Sequence, residues 1–210
     1  MLDNQVRLMD LLIGTGNTGK LGEFQELFVG VDLRLLSLKD VGLGDMDVEE
    51  HATTLEENAA LKVKAYSEAS GLVTVADDTG LFVDALDGRP GIYPARYGGP
   101  GLTPKDRRHK LLGELEDVPA EKRTARFVCV IAVANPRSGE VTYVRGVCEG
   151  RIALAEDESG GGFGYDPVFI PQGYTNTFSS IPLAEKNRIS HRGLAAAMMI
   201  PILQRMAAGN

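Results

Sequence analysis

Residues 7–21 read RLMDLLIGTGNTGKL. An apolar run meets a glycine-rich turn, and a helical pattern follows with Leu21, Phe24, Leu27 and Phe28 on one face. The stretch predicts a buried strand over 7–13, a loop, and a helix over 18–29. The frame G-x-x-x-x-G-K over Gly14–Lys20 is that of a P-loop, which needs Ser or Thr next to hold Mg²⁺. The next residue is Leu21, which cannot ligand a metal, and no apolar strand ending in Asp offers a clear Walker-B partner. Two readings remain. Backbone N–H groups at a strand-to-helix turn cradle phosphate without side chains, and Lys20 would add a charge. Alternatively, the stretch is a tight turn with a surface lysine.

Working outward, a short strand is expected near 32–36, then the acidic loop GDMDVEE. A capping box, Thr54 to Glu57, opens a helix that runs to about Ser70. LVTVA reads as a strand broken by DDTG, and LFVDAL as a further strand before the Gly/Pro-rich loop DGRPGIYPARYGGPG. Thr103 starts a helix with Pro104 in its first turn. RFVCVIAVAN and VTYVRGVCEGRIAL read as two long antiparallel strands. SGGGFGYDP is a loop, and a last helix follows Ser190, where Pro201 should kink or end it. The order is mixed α/β, with no linker dividing the 210 residues, so a single domain is expected.

The formal charge of −7 argues against a nucleic-acid polymer as partner but leaves room for a small anion in a local basic pocket. The two cysteines, Cys129 and Cys148, fall in strand-like runs and read as buried free thiols of a reducing compartment. The N-terminal apolar run is short and interrupted by Asp10, neither a signal peptide nor a membrane span. A cytoplasmic location without membrane attachment is the expectation.

Four further stretches carry chemistry. On a helical wheel, Lys62 points near the middle of the apolar arc of its helix, with Asn58 inside that arc. An unpaired buried ammonium costs several kcal/mol, so Lys62 must snorkel, meet a carboxylate or meet a bound anion. ADDTG places two adjacent carboxylates, Asp77 and Asp78, where hard cations find oxygen ligands or a base finds water; the plain alternative is a polar turn. In EKNRISHRG, His191 and Arg192 would occupy the first turn of a helix, against its dipole, where an anion or polar ligand would offset the penalty. In GGGFGYDP, Phe163 and Tyr165 could stack on a base and Asp166 could bind a ring or amino hydrogen; the alternative is an aromatic plug for the core.

Taken in order, TGNTGK, EENAALK, ADDTGLFVDAL with GRPGIYPARY, GGFGYDP and EKNRISHR resemble the inosine triphosphate pyrophosphatase family, the non-canonical purine nucleoside triphosphate pyrophosphatases. The match spans residues 15 to about 195. The resemblance implies a long mixed β-sheet flanked by helices, in two lobes with the site in the cleft between them. It implies a homodimer that hydrolyses the triphosphates of inosine and xanthosine, and deoxy forms such as dITP, to monophosphate and diphosphate with Mg²⁺. Carried over by position, Thr15, Gly16, Asn17, Thr18, Gly19, Lys20 and Lys62 would hold the triphosphate. Glu50 and Asp78 would hold Mg²⁺, with Asp78 as base for the attacking water and Asp77 able to share or exchange that role. Thr79 sits where the family often has Ser. Phe163, Gly164, Tyr165 and Asp166, with His191 and Arg192, would form the base pocket, and Lys186 would reach phosphate or base. ATTLEENA is a looser version of the family's G-x-T-F-x-E-N-A, and Pro94 stands where Ser is common. The rival functions are a pyrophosphatase for other modified nucleotides, a P-loop enzyme releasing orthophosphate, and a nucleotide-binding regulator without turnover.

Overall fold

In the computed structural model, which describes residues 8–159 and 163–209, the N-terminal apolar run forms β1 (Met9–Ile13) and the glycine turn leads into α1 (Thr18–Leu27). The expected strand start at Arg7 and the glycines Gly160, Gly161 and Gly162 lie outside the described residues. β1 lies parallel to β2 (Leu33–Ser37) on one side and to β3 (Val73–Val83) on the other. From β3 the sheet continues antiparallel through β5 (Thr124–Ala134), β6 (Val141–Ile152) and β7 (Phe169–Pro171). The two-residue β4 (Pro90–Gly91) pairs with Leu81 and Phe82 of β3. The order is therefore β2-β1-β3-β5-β6-β7, with β4 beside β3.

One edge of β3 pairs with β5 from Thr74 to Val83. Its other edge pairs with β1 only as far as Val75 and with β4 from Leu81. Between them, at 76–80, that edge carries no strand among the described residues. Here β1 ends and the 14–17 turn departs, anchored by Gly14 N–H donating to the Val75 oxygen at 2.7 Å. Ligands of open α/β sheets bind at such carboxyl ends.

The long strands run through two cores. In the first, α1 and α5 (His191–Ala208) cover one face, packing Phe24, Ala196, Met199 and Leu203 on Val75, Cys129 and Ile131. On the opposite face, Leu55, Ala59 and Val63 of α2 (Leu55–Ser70) pack on Ala76, Val128 and Val130. The second core gathers Leu111 of α3 (Pro104–Glu114) and Leu115 with Leu81, Phe127, Phe169 and Phe178. α4 (Leu183–Ile189) leads directly into α5.

Three local readings need correction. DDTG does not break a strand: β3 runs straight through it to Val83, and LFVDAL is its continuation followed by a short 3-10 turn at Asp84–Leu86. Asp and Gly are poor strand formers in isolation, but both carboxylates find cations, and Gly80 allows a close approach. A Cβ there would lie 2.9 Å from the Gly91 oxygen. Pro201 does not end the last helix, which runs to Ala208; apolar side chains buried on both sides of it, Met199 and Leu203, keep the helix docked. At α2, Thr54 caps the Glu57 N–H at 3.2 Å, but the Glu57 carboxylate returns to Thr53 N–H, one residue early for a capping box. At α3 the box is complete, between Thr103 and Asp106.

β6 meets α5 at Gly146, where a Cβ would lie 2.1 Å from the His191 oxygen and 2.6 Å from the Ala195 nitrogen. Gly146→Ala should destabilise by about 1–3 kcal/mol or more through overpacking. Gly22→Ala, within α1 and with open space at the Cβ position, should instead be neutral or stabilise by up to about 1 kcal/mol. Denaturant titration of both variants checks the contrast.

Candidate active site

A cavity of about 690 Å³ opens where the uncovered edge of β3 meets the two cores. Its wall includes Gly14, Thr15, Gly16, Asn17 and Lys20, then Glu50, Lys62, Asp78 and Thr79, and on the far side of the chain Phe163, Gly164, Tyr165, Asp166, Lys186, His191 and Arg192. Thr18 and Gly19, expected with these, lie in the first turn of α1 and do not line the cavity. Much of the turn is satisfied internally. The Asn17 side chain caps the N–H groups of Gly19 and Lys20 at 2.9 and 3.1 Å, and Thr15 Oγ1 accepts the Asn17 N–H at 3.2 Å.

The period of two along β3 separates the adjacent aspartates. Asp77 faces α1 and α5, and Asp78 faces α2. Asp77 Oδ2 meets Lys20 Nζ at 3.0 Å and Arg192 Nη2 at 3.0 Å, and accepts from Thr79 Oγ1 at 3.0 Å. Burial would raise its pKa, but Lys20 and Arg192 reverse the sign and hold it far below the carboxylate range. Asp78 lies against the cavity, where Asn58 Nδ2 donates to Oδ2 at 3.1 Å and Lys62 Nζ approaches Oδ1 at 3.4 Å. Burial, with Glu50 adding, pushes Asp78 up to about 6, and Lys62, Lys20 and Asn58 counter only part of this.

Lys62 thus resolves its place on the apolar arc by meeting carboxylates: Glu50 Oε1 at 3.0 Å and Asp78. Its ammonium is kept charged because Asp78, Asp77 and Glu50 outweigh burial. Asn58 also accepts the Ala52 N–H at 3.0 Å, tying the Glu50 loop to Asp78. Arg96 Nη2 donates to the Glu50 oxygen at 2.9 Å, and the Tyr93 hydroxyl donates to the Ala52 oxygen.

A second ionic cluster occupies the other end. Lys186 Nζ lies 2.8 Å from Asp166 Oδ2 and 2.8 Å from Glu23 Oε1, and the second Glu23 oxygen accepts from Arg192 Nη1. Asp166 Oδ2 also accepts the Phe163 N–H at 2.8 Å, fixing the FGYD turn. Phe163 packs over Gly19, where a Cβ would meet its ring at 3.1 Å, while Tyr165 turns inward and donates to the Pro94 oxygen at 2.9 Å. His191 stacks on Phe127, rings 4.6 Å apart. Burial, then Arg192 and Lys186, hold its pKa well below the usual value, so it is neutral.

Sequence reasoning missed Glu23, Tyr93, Arg96 and Phe127 and assigned no role to Asn58. Glu23 had a local signal, three residues after Lys20 and on the same helix face. Phe127 had none, being one apolar residue in an apolar strand. Among the described residues, no group of three or more His, Cys, Asp or Glu side chains could hold a metal ion; Glu50 and Asp78 are a pair sharing Lys62. Cys129 and Cys148 are free and buried, with both thiols pushed up to about 12, chiefly by burial.

The fold and the site together define an α/β protein with a cleft of nucleotide size, lined at both ends by paired cations and carboxylates. The Ham1 family matches residues 11–202, and the chain belongs to that family. It is 46% identical over 182 residues to the dITP/XTP pyrophosphatase of Oceanobacillus iheyensis, covering 87% of this chain and 91% of the relative. It is 44% identical to the dITP/XTP pyrophosphatase of Geobacter sulfurreducens, covering 90% and 94%. The solved structure of the Staphylococcus aureus Ham1 protein superposes with a TM-score of 0.81 at 36% identity, over 94% of this chain and 99% of that one.

The raised pKa of Asp78 has a sign that stability measurements read. An acid whose pKa rises on folding favours the native state below its unfolded value, 3.8, and loses that contribution as pH rises through about 6. Asp78→Asn carries no such charge. The variant should therefore gain melting temperature relative to the metal-free parent as pH rises from about 4 to 7. Thermal melts across that range check it; a constant difference would contradict the burial cost.

Proposed function

We propose that this protein hydrolyses the triphosphates of inosine and xanthosine, ribo and deoxy, to the monophosphate and diphosphate, cleansing the nucleotide pool. The observation that carries the reading is the division of the cavity's charges. Glu50, Lys62 and Asp78 stand at one end, and Asp166, Lys186, Glu23 and Arg192 at the other. The relatives named dITP/XTP pyrophosphatases support it.

At the first end, Lys62 and Lys20 neutralise phosphate oxygens, with Thr15, Gly16 and Asn17 beside them. Thr18 and Gly19 support the cradle from the first helical turn. Asp78 faces the cavity with its pKa raised to about 6, so its carboxylate form predominates at neutral pH while staying more basic than an ordinary aspartate, which suits a general base. It takes a proton from water as the oxygen attacks the α-phosphorus. The bond from that phosphorus to the bridging oxygen breaks, and diphosphate leaves. Glu50 and Asp78 fit Mg²⁺, which uses one or two protein carboxylates and completes its shell with phosphate and water. Lys62 between them marks a donor set that already draws a cation. When bound, Mg²⁺ would supply charge neutralisation on the phosphate oxygens.

At the other end, Lys186 presents a donor and Asp166 an acceptor, 2.8 Å apart. Inosine and xanthosine offer the complement, a 6-oxo acceptor beside an N1–H donor. Adenine inverts both. In a dry polar pocket such mismatches discriminate by up to about 10⁴-fold. Phe163, Gly164 and Tyr165 shape the pocket, Thr79 and Arg192 brace it from β3 and α5, and neutral His191 on Phe127 gives it an apolar wall. A regulator without turnover is disfavoured, because two carboxylates facing the phosphate end weaken plain anion binding. The family resemblance also carries a homodimer, tested by light scattering, and a cytoplasmic location.

The deciding experiment is incubation with inosine triphosphate and Mg²⁺ in ¹⁸O-water. One diphosphate and one monophosphate should form, with label in the monophosphate. Orthophosphate as the primary product would overturn the reading. Asp78→Asn should lower turnover by at least about 10²-fold, the low end for a lost general base.

A further inference from the structure

Most cations of the cavity are already neutralised by carboxylates. Lys20 has Asp77, Lys62 has Glu50 and Asp78, Lys186 has Asp166 and Glu23, and Arg192 has Glu23 and Asp77. Arg108 holds Glu156 at 2.6 Å. Arg96 differs. It lines the cavity and stays exposed, and among the described residues it makes no ion pair. Its guanidinium carbon lies 4.8 Å from the Tyr93 ring centroid, and Nη2 donates to the Glu50 oxygen at 2.9 Å. These two contacts fix the plane of the fork and leave most of its five N–H donors free of protein acceptors. Arg107 of α3, the other cavity arginine outside an ion pair among the described residues, is engaged with the Leu102 oxygen and lies near Tyr165.

We propose that Arg96 binds the diphosphate end of the triphosphate and stabilises the diphosphate as it leaves. The proposal rests on the reading that the Glu50–Lys62–Asp78 end takes the phosphates, since Arg96 is bonded to the main chain of Glu50 itself. Negative charge accumulates on the departing diphosphate, and a planar, pre-oriented guanidinium matches phosphate oxygens in a bidentate manner. Unlike the lysines, Arg96 gives up no carboxylate to do so. Its other role would be a tether for the Glu50 loop, which Tyr93 also holds through Ala52.

The test uses Arg96→Met, Arg96→Lys and Tyr93→Phe, the last removing a tether of the same loop while keeping the ring and all charges. Calorimetry measures binding of inorganic diphosphate and of inosine monophosphate in Mg²⁺, without turnover. Arg96→Met should weaken diphosphate by about tenfold or more and leave the monophosphate within about twofold. Arg96→Lys should recover part of the loss, and Tyr93→Phe should bind diphosphate like the parent. Unchanged diphosphate affinity in Arg96→Met, or an equal loss in Tyr93→Phe, would overturn the proposal. Normal hydrolysis of inosine triphosphate by the parent alongside either result would leave the activity standing while Arg96 loses its role.

Discussion

Asp77 is an ionised carboxylate with none of its side chain open to water, and the arrangement of the site depends on keeping it so. Leaving such a charge without a partner costs about 3–5 kcal/mol. Lys20 and Arg192 offset that cost, and they come from α1 and α5, which reach β3 from opposite ends of the sequence. The pairing therefore pins two helices to the strand at one point. It also fixes the starting position of both cations, and Arg192 passes the constraint on to Glu23, Lys186 and Asp166. A chain of alternating charges thus runs from the β3 edge to the FGYD turn.

One residue further along, the same chemical group behaves in the opposite way. Asp78 faces α2, where its cation, Lys62, is shared with Glu50. A shared cation and a second carboxylate nearby leave burial dominant, and the pKa rises to about 6. Neighbouring titratable groups driven apart by their surroundings are how a site separates structural from chemical duty. The separation needs no difference in residue type, only the alternation of a strand that does not stop at ADDTG.

Local pattern and long-range contact explain what the sequence could disclose. The buried stripe of α2, Leu55, Asn58, Ala59, Lys62, Val63 and Tyr66, follows helical spacing, so the need for a polar partner at Lys62 was legible. That the partners are Glu50 and Asp78, and not solvent, was not, because the choice is made by tertiary packing. ADDTG looked like a turn because Asp and Gly favour turns locally. What holds it extended is the ladder to β5 and a guanidinium 115 residues away. The ordered motifs disclosed most cavity residues. Tyr93 and Arg96 lay inside a quoted motif, but a 3-10 turn has no apolar period to reveal which side chains face a cavity.

The two ends of the cavity differ in how they can answer a ligand. At the end that takes the phosphates in the proposed activity, Lys62 sits between two carboxylates that a divalent cation would also satisfy, so its ammonium could pass to a phosphate oxygen without any group losing a partner. That end is adaptable, and its strength depends on the difference between two sets of ion pairs, not on a new one. At the other end, Asp166 is held by both Lys186 and the Phe163 N–H, and Lys186 by both Asp166 and Glu23. Neither can turn without stranding a buried charge. In the proposed activity, this rigid donor–acceptor pair is where a purine is read, because a site discriminates by hydrogen bonding only when its own groups cannot re-pair to suit the wrong base. In that proposed activity, specificity therefore belongs with the locked cluster of Glu23, Asp166, Lys186 and Arg192, and bond cleavage with the exchangeable one of Glu50, Lys62 and Asp78.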